Sequence, residues 1–318
     1  MKIGITGGSG FIGSYVVEEL LSKGYEVVVF DRSKKTEYPK GVEVFLGDVT
    51  DEKSMREFAA HIDGMIHLAA VLGTQETIKY PTPAAITNLT GGLNFLEAIS
   101  QYNIAGVYIA VGNWWMDNPY SITKNMIERF CSMYNKYRGT KVNIVRAVNA
   151  YGPRQSIATP FGSSKVRKIT PAFICRALSG IPVEIYGDGS QVSDMVYVGD
   201  VAKALVISLE KALGGIVFDK PVEVGPVKDM PVKDTALEVI KSAKELGFNA
   251  VELKFLPMRH GENAGEKVKA DTKTLKYVDM KESDLIPFEK GIRETVKWFS
   301  DMEGKKWLKT EEKCTRIL

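Results

Sequence analysis

A run of glycines close to the N-terminus constrains this chain more than any other feature: Gly4-Ile5-Thr6-Gly7-Gly8-Ser9-Gly10-Phe11-Ile12-Gly13. It follows a short apolar stretch, Met1 to Ile5, and leads into residues 14–21, whose apolar positions recur at helical spacing. Strand, glycine turn and helix in that order raise the motif above a chance cluster of glycines. Gly7 permits a tight turn, Gly10 lets the backbone approach a pyrophosphate, and Gly13 lets helix and strand pack closely. Phosphates then sit on the N–H groups of the first helical turn, where Phe11 and Ile12 lie. The next apolar run, Tyr25 to Phe30, ends at Asp31, eighteen residues beyond Gly13. A carboxylate there accepts both hydroxyls of an adenosine ribose and repels a 2′-phosphate. The pattern points to a bound dinucleotide and to NAD over NADP. Arg32, which can accommodate a phosphate, keeps NADP as the alternative, and an Asp31 that merely opens a loop is the structural alternative.

Composition narrows the remaining classes. A chain of 318 residues suits one large domain or two joined ones. The net charge of +3 is small and spread out, so neither nucleic acid nor a membrane surface is expected as a partner. No apolar run reaches the ~20 residues that cross a bilayer. The first residues enter a strand directly, which leaves no room for a signal peptide. Cys131, Cys175 and Cys314 lie far apart without metal-ligand spacing, and Cys131 reads as a reduced, half-buried thiol. A cytoplasmic protein is expected. With His61, His67 and His260 as the only histidines, no metal site is expected.

Up to about residue 150 strands and helices alternate. Candidate strands are 2–6, 25–30, 42–47, 63–68, 107–111 and 141–147, and candidate helices are 12–23, 51–60, 83–102 and 120–138. This is the pattern of an α/β protein, a doubly wound parallel sheet with helices on both faces. Its ligands lie beyond the carboxyl ends of the strands. Asp48-Val49 follows the third strand, His67-Leu68-Ala69-Ala70 ends the fourth, and Asn113 follows the fifth. After Tyr151-Gly152-Pro153 the pattern loosens into a smaller mixed α/β part with helices near 171–179, 200–213, 232–246 and 287–299. We expect a dinucleotide-binding Rossmann domain at 1–152, to which 194–226 returns, and a substrate domain at 153–193 and 227–318. The basic stretch Gly162-Ser163-Ser164-Lys165-Val166-Arg167-Lys168 reads equally as a loop at a site mouth or as a solvated loop.

Tyr120-Ser121-Ile122-Thr123-Lys124 places a tyrosine and a lysine four apart at the start of a helix, on one face. A phenol titrates near pH ~10. A fixed ammonium beside it stabilises the phenolate, which makes Tyr120 a usable general base. Lys124 is also placed to bind the nicotinamide ribose.

These segments together resemble the extended short-chain dehydrogenase/reductases of the NAD-dependent epimerase/dehydratase family. The resemblance covers nearly the whole chain through Thr6–Gly13, Asp31, Asp48-Val49, His67–Ala70, Asn88-Leu89-Thr90-Gly91, Tyr120/Lys124, Arg146–Arg154, Ile185–Gly189, Asp194–Asp200 and Arg259-His260-Gly261-Glu262. It implies that Asp48 and Val49 flank adenine, that Leu68, Ala69 and Ala70 line the cofactor, and that Asn88 lies near its ribose. It implies a nucleotide-sugar, a UDP-sugar first, held by Thr74, Asn149, Lys168, Ile169, Ser193, Arg259 and Glu262. Arg259 would meet the diphosphate, where a guanidinium makes paired bonds. It also implies a homodimer through helices 83–102 and 120–138, which carry Leu93, Leu96, Ile127, Phe130 and Met133 on more than one face.

The chain departs from the family pattern at three points. The Ser or Thr that usually ends the fifth strand aligns with Gly112, and Asn113 can donate a bond there but cannot relay a proton. Seven residues separate Gly112 from Tyr120, where typical members carry a much longer loop. Trp114-Trp115-Met116 fill it, either as an apolar wall at the sugar or as core packing. Ser193 stands where the family has an arginine, and Lys165, Arg167 or Lys168 can replace its charge. The acidic pair of the 4,6-dehydratases is missing, with Asp117 the nearest carboxylate. The expected function is therefore an NAD-dependent nucleotide-sugar epimerase that transiently oxidises its substrate, at C4, with Tyr120 as base. The alternatives are a dehydratase sharing that oxidation, a net dehydrogenase or reductase, and a catalytically weak NAD-binding sensor.

Overall fold

The computed structural model describes residues 1–33, 38–226, 228–259 and 265–301. His260, Glu262 and Cys314 therefore lie outside the described residues. In chain order the elements are β1 (Lys2–Thr6), α1 (Phe11–Ser22), β2 (Glu26–Asp31), β3 (Glu43–Leu46), α2 (Glu52–Ala59), β4 (Gly64–His67), α3 (Thr74–Lys79), α4 (Pro81–Ala84), a π-turn (Ala85–Thr90), α5 (Gly91–Tyr102), β5 (Ala105–Val111), α6 (Pro119–Arg138) and β6 (Lys141–Ala147). There follow β7 (Asn149–Tyr151), α7 (Ile169–Leu178), β8 (Val183–Tyr186), β9 (Val192–Ser193), β10 (Met195–Tyr197), α8 (Val198–Leu213), β11 (Val222–Val224), α9 (Val232–Glu245), β12 (Leu253–Leu256), β13 (Lys267–Val268) and α10 (Phe288–Ser300). The chain forms two compact units. The first comprises Met1–Val148, Val198–Gly225 and Ala270–Asp284, and the second Asn149–Tyr197, Pro226–Lys269 and the residues from Leu285 on.

The first unit is built on a seven-stranded parallel sheet in the order β11-β6-β5-β4-β1-β2-β3. The chain runs outward from β1 through β2 and β3, then returns to the other side of β1 with β4. The strand order reverses between β1 and β4, so the turns after those two strands flank the switch point where such sheets bind ligands. Strands buried on both faces read as unbroken apolar runs, and β5, AGVYIAV, is buried at every position. One face carries α1 packed on α8. The other carries α2, α5 and α6 over Phe30, Met55, Phe58, Phe95, Ile127 and Tyr108. Phe30 lies 5.5 Å from Phe45 and 5.0 Å from Phe58 between ring centroids. Each such fully buried aromatic or aliphatic side chain contributes about 1.5–3 kcal/mol.

Sequence and structure differ at several elements. The single helix expected at 83–102 is divided into α4, the π-turn and α5. Helix α5 opens on two closely packed glycines: a Cβ on Gly91 would stand 2.6 Å from Val49 Cγ2, and one on Gly92 2.6 Å from Ile127 Cγ1. Asn88, in the widened turn, is 2% exposed. Short α3 and the edge strand β11 carry too few residues for a legible period. Cys131 is fully buried rather than half-buried.

The second unit packs α7, α9 and α10 with three parallel strand pairs, β7/β10, β8/β12 and β9/β13. Its core holds Tyr151, Phe173, Ile174, Ile185, Ile292 and Phe299. Residues 149–152 and 194–197 belong here because β7 pairs with β10. Residues 270–284 belong to the first unit, where the Asp271 N–H donates to Glu223 Oε2 at 2.7 Å and the Glu223 N–H to Thr274 Oγ1 at 2.8 Å.

Candidate active site

The glycine turn is shaped to hold a phosphate. Gly7 adopts a φ of +73°, and its N–H donates to Phe30 O at 2.9 Å, tying the turn to β2. A Cβ at Gly13 would stand 2.4 Å from Gly7 O and 2.7 Å from Gly8 Cα, both rigid backbone. Gly10 starts α1 in an extended conformation, and no side chain caps that helix end. The Gly10 N–H closes the turn on Gly7 O at 3.0 Å, and the first-turn amides of Phe11, Ile12 and Gly13 form a cradle that an added side chain would fill. This fits the pyrophosphate of a dinucleotide.

Asp31 ends β2 beside this turn. Its Oδ2 accepts the Ser9 N–H at 3.2 Å and its Oδ1 the Arg32 N–H at 2.8 Å. Each carboxylate oxygen retains a further lone pair for a ribose hydroxyl. Tyr38, which no local motif marks, joins this turn, its hydroxyl 2.7 Å from Ser9 Oγ. Burial raises the Tyr38 phenol above its usual range, Ser9 opposes this, and Asp31 adds to it. Arg32 Nη1 lies 4.0 Å from Asp48 Oδ2, so its charge faces a carboxylate. Asp48 Oδ1 accepts both the N–H and the hydroxyl of Thr50, at 2.9 and 2.8 Å, which fixes the turn carrying buried Val49.

A polar pair fastens β1 to β4 across the switch point. Thr6 Oγ1 accepts the N–H groups of Leu68 and Ala69 at 3.2 and 3.4 Å. Its own proton therefore goes to His67 Nδ1, 2.8 Å away, leaving His67 neutral with its proton on Nε2. Burial brings His67 down to about 3, and repulsion from Lys124 adds to the shift. The Leu68–Ala70 segment is thus held against the glycine turn. Asn88 accepts the Val71 N–H at 2.7 Å and donates to Val71 O and Thr123 Oγ1 at 3.1 and 3.0 Å. Its side chain links the segment after β4 to α6.

Helix α6 begins where local chemistry says it should. Asn118 Oδ1 accepts the Ser121 N–H at 2.9 Å as N-cap, and Pro119 takes the first helical position. Tyr120 and Lys124 thereby fall on its first two turns. Lys124 is 2% exposed, and its Nζ stands 4.1 Å from the centroid of the Tyr108 ring. That ring stacks on His67, which stacks on Phe95. Here the structure corrects the electrostatics expected from the Tyr/Lys spacing. Burial raises the Tyr120 phenol to about 12. Burial also lowers Lys124 to about 7, against the opposing charges of Cys131 and Glu128. Burial thus opposes charge on both members of the pair. NAD in its oxidised form supplies the hydride acceptor and brings a positively charged ring to such a site.

At the end of β5 Gly112 is closed to larger residues. A Cβ there would stand 2.9 Å from Val148 Cγ1 and 3.1 Å from Val148 Cα. The hydroxyl residue missing from this position has no room unless Val148 moves. The amide of Asn113 donates to Met116 Sδ at 2.9 Å, so that side chain braces its own loop. Arg146 lies beneath the loop. Its Nε donates to Glu128 Oε2 at 2.9 Å and its Nη1 to Glu223 Oε1 at 2.8 Å. This clamp, absent from the sequence reading, joins residues 18 and 77 positions apart.

The substrate-side candidates fall into both units. Thr74 opens α3 in the first unit, and its carbonyl accepts the Thr77 hydroxyl at 3.3 Å. In the second unit Asn149 donates through Nδ2 to Ser193 Oγ, which joins β7 to the segment holding β9. Lys168 occupies the N-cap position of α7 without a side-chain capping bond, and Ile169 is the first helical residue. Arg259 lies 4.9 Å from the Tyr186 ring centroid, and Arg167 5.5 Å from it. Arg167 also donates to the Tyr186 hydroxyl at 3.0 Å and to Glu184 Oε2 at 3.3 Å, so its charge is partly neutralised. Tyr186, within the Ile185–Gly189 segment, is thus the ring that both arginines approach.

The fold and this site define a class. The model of the NAD dependent epimerase/dehydratase family matches residues 3–113 and again 112–219. The chain belongs to that family, and NAD is its cofactor. The two matched stretches meet at the shortened loop after β5. The chain is 27% identical to UDP-N-acetyl-alpha-D-glucosaminuronate decarboxylase of Bacillus cytotoxicus, over 94% of this chain and 98% of the relative. It is 26% identical to dTDP-glucose 4,6-dehydratase of an Actinoplanes species, over 94% and 98%. The crystal structure of Thermus thermophilus UDP-glucose 4-epimerase in complex with NAD superposes with a TM-score of 0.81, at 29% identity over 95% of this chain and all of that one. Among the described residues no helix is long and apolar enough to cross a membrane.

Proposed function

We propose that this protein is an NAD-dependent nucleotide-sugar 4-epimerase. The observation that carries the reading is the placement of Tyr120 and Lys124. Both stand on the first turns of α6, at the carboxyl edge of the sheet that holds the glycine cradle and Asp31. Within this reading Tyr120 takes the proton from the C4 hydroxyl of the sugar and returns it after the ketone has turned. Lys124 assists the proton transfer, and its pKa of about 7 lets it gain or lose a proton near neutrality. Arg259 meets the diphosphate, and Asn149 with Ser193 supports the nucleotide-sugar from the second unit. Near-full-length similarity to an enzyme named as a UDP-glucose 4-epimerase supports the assignment.

A second reading rests on the relative named as a decarboxylase. The same oxidation at C4 of a uronic acid makes a β-keto acid, which loses carbon dioxide. A dehydratase is less favoured, because the segment between Gly112 and Tyr120 offers Asp117 as its sole carboxylate. Incubating purified protein and NAD with a panel of nucleotide-sugars and reading products by NMR and mass decides among these. An unchanged mass with an inverted carbon supports the epimerase, loss of water the dehydratase, and loss of carbon dioxide the decarboxylase. No reaction across the panel favours an NAD-binding sensor.

A further inference from the structure

The short loop after β5 is the most unusual part of the catalytic edge. We propose that Trp114 and Trp115 form a rigid stacking platform for the pyranose ring of an uncharged sugar. The proposal rests on the nucleotide-sugar reading above and narrows its substrate to a neutral hexose.

Placement comes first. The loop joins the carboxyl end of β5 to Asn118, the cap of α6, and Tyr120 follows two residues later. Anything carried by this loop is presented at the edge where a doubly wound sheet meets its ligands. The loop is also braced. The Met116 N–H donates to Asn113 O at 3.1 Å, the Asn118 N–H donates to Met116 O at 3.0 Å, and the Asn113 amide holds Met116 Sδ. Trp114 stands over the Arg146 guanidinium, 5.0 Å from ring centroid to Cζ, and meets Trp115 edge to face at 5.8 Å and 89°. The guanidinium is itself pinned by two carboxylates.

Two indoles fixed in this way remain 39% and 42% exposed. A pair of tryptophans held by a cation, a partner ring and a closed turn, yet left open, is not core packing. Large rigid aromatics give contact area at low entropic cost to a ligand. The C–H face of a pyranose is a complementary apolar surface. Charge then selects among sugars. Arg146 contributes +1 and Glu128 with Glu223 contribute −2, a sum of −1 beneath the platform. The cation touching this loop is already doubly paired, so it is not free to receive a sugar carboxylate. A neutral hexose is accommodated and a uronate is disfavoured.

Calorimetric titration of the NAD-loaded protein with UDP, UDP-glucose and UDP-glucuronate tests the proposal. Wild type should bind UDP-glucose more tightly than UDP or UDP-glucuronate. Trp115→Ala should weaken UDP-glucose about tenfold while leaving UDP within about twofold, and Trp115→Phe should recover most of the loss. An equal effect of Trp115→Ala on UDP and UDP-glucose, no effect on either, or tighter binding of UDP-glucuronate overturns the platform. Wild type that binds UDP and UDP-glucose equally also overturns it while leaving the nucleotide-sugar reading intact. Wild type that binds neither UDP nor either sugar overturns both.

Discussion

Lys124→Met should stabilise the first unit at neutral pH while abolishing turnover. The side chain is 2% exposed, and burial brings its pKa from the usual 10.5 to about 7. A lysine whose pKa is lower folded than unfolded destabilises the native state, because the unfolded chain binds the extra proton. The cost is complete below about pH 7, where both states are charged, and disappears above about 10.5, where neither is. At ~1.36 kcal/mol per pH unit, the three and a half units correspond to about 5 kcal/mol at pH 7. Against this, the cation over the desolvated Tyr108 ring contributes about 2 kcal/mol that methionine loses. The variant should therefore gain about 3 kcal/mol at pH 7. The advantage should shrink as pH rises and vanish by about pH 10.5, where the lysine is neutral in both the folded and the unfolded chain. Urea titrations of the cofactor-free proteins at both pH values, followed by circular dichroism, give the two differences. A variant less stable than wild type at pH 7, or a difference that does not change with pH, would refute the reasoning.

Four further outcomes are expected. Tyr120→Phe should abolish turnover and leave NAD bound, and a variant with wild-type activity would remove Tyr120 from the mechanism. Titration of the cofactor-free protein should show tighter binding of NADH than NADPH, since the Asp31 carboxylate stands at the glycine turn and Arg32 faces Asp48; tighter NADPH binding would transfer the deciding role to Arg32. Arg259→Ala should weaken a UDP-sugar by about 2–4 kcal/mol with NAD affinity unchanged, and Arg259→Lys should recover only part, because an ammonium lacks the planar fork; a loss of NAD binding instead would contradict its assignment to the substrate. Light scattering at micromolar concentration should give a homodimer mass, because α6 leaves Ile122, Met126 and Tyr137 exposed along one face; a monomer mass would contradict this.

Much of the first unit was legible because its signals are local. The glycine spacing, the acidic residue closing the second strand, the Asn118-Pro119 helix start and the four-residue interval from Tyr120 to Lys124 need only neighbouring positions. Backbone period and capping chemistry set these within a few residues. The second unit gave less, because its strands are two to four residues long and pair across long stretches of chain. The fold class, the glycine turn with Asp31 and the Tyr120–Lys124 interval on α6 were thus written in the sequence by itself. The tertiary structure decided what those residues can do. Burial of the first two turns of α6 set the ionisation of Lys124 and Tyr120, and Val148 closed the space at Gly112. Glu128 and Glu223, brought together on either side of Arg146, determined the charge beneath the tryptophans. Desolvation, close approach and ion pairing depend on which distant segments meet in space, and no local spacing records that.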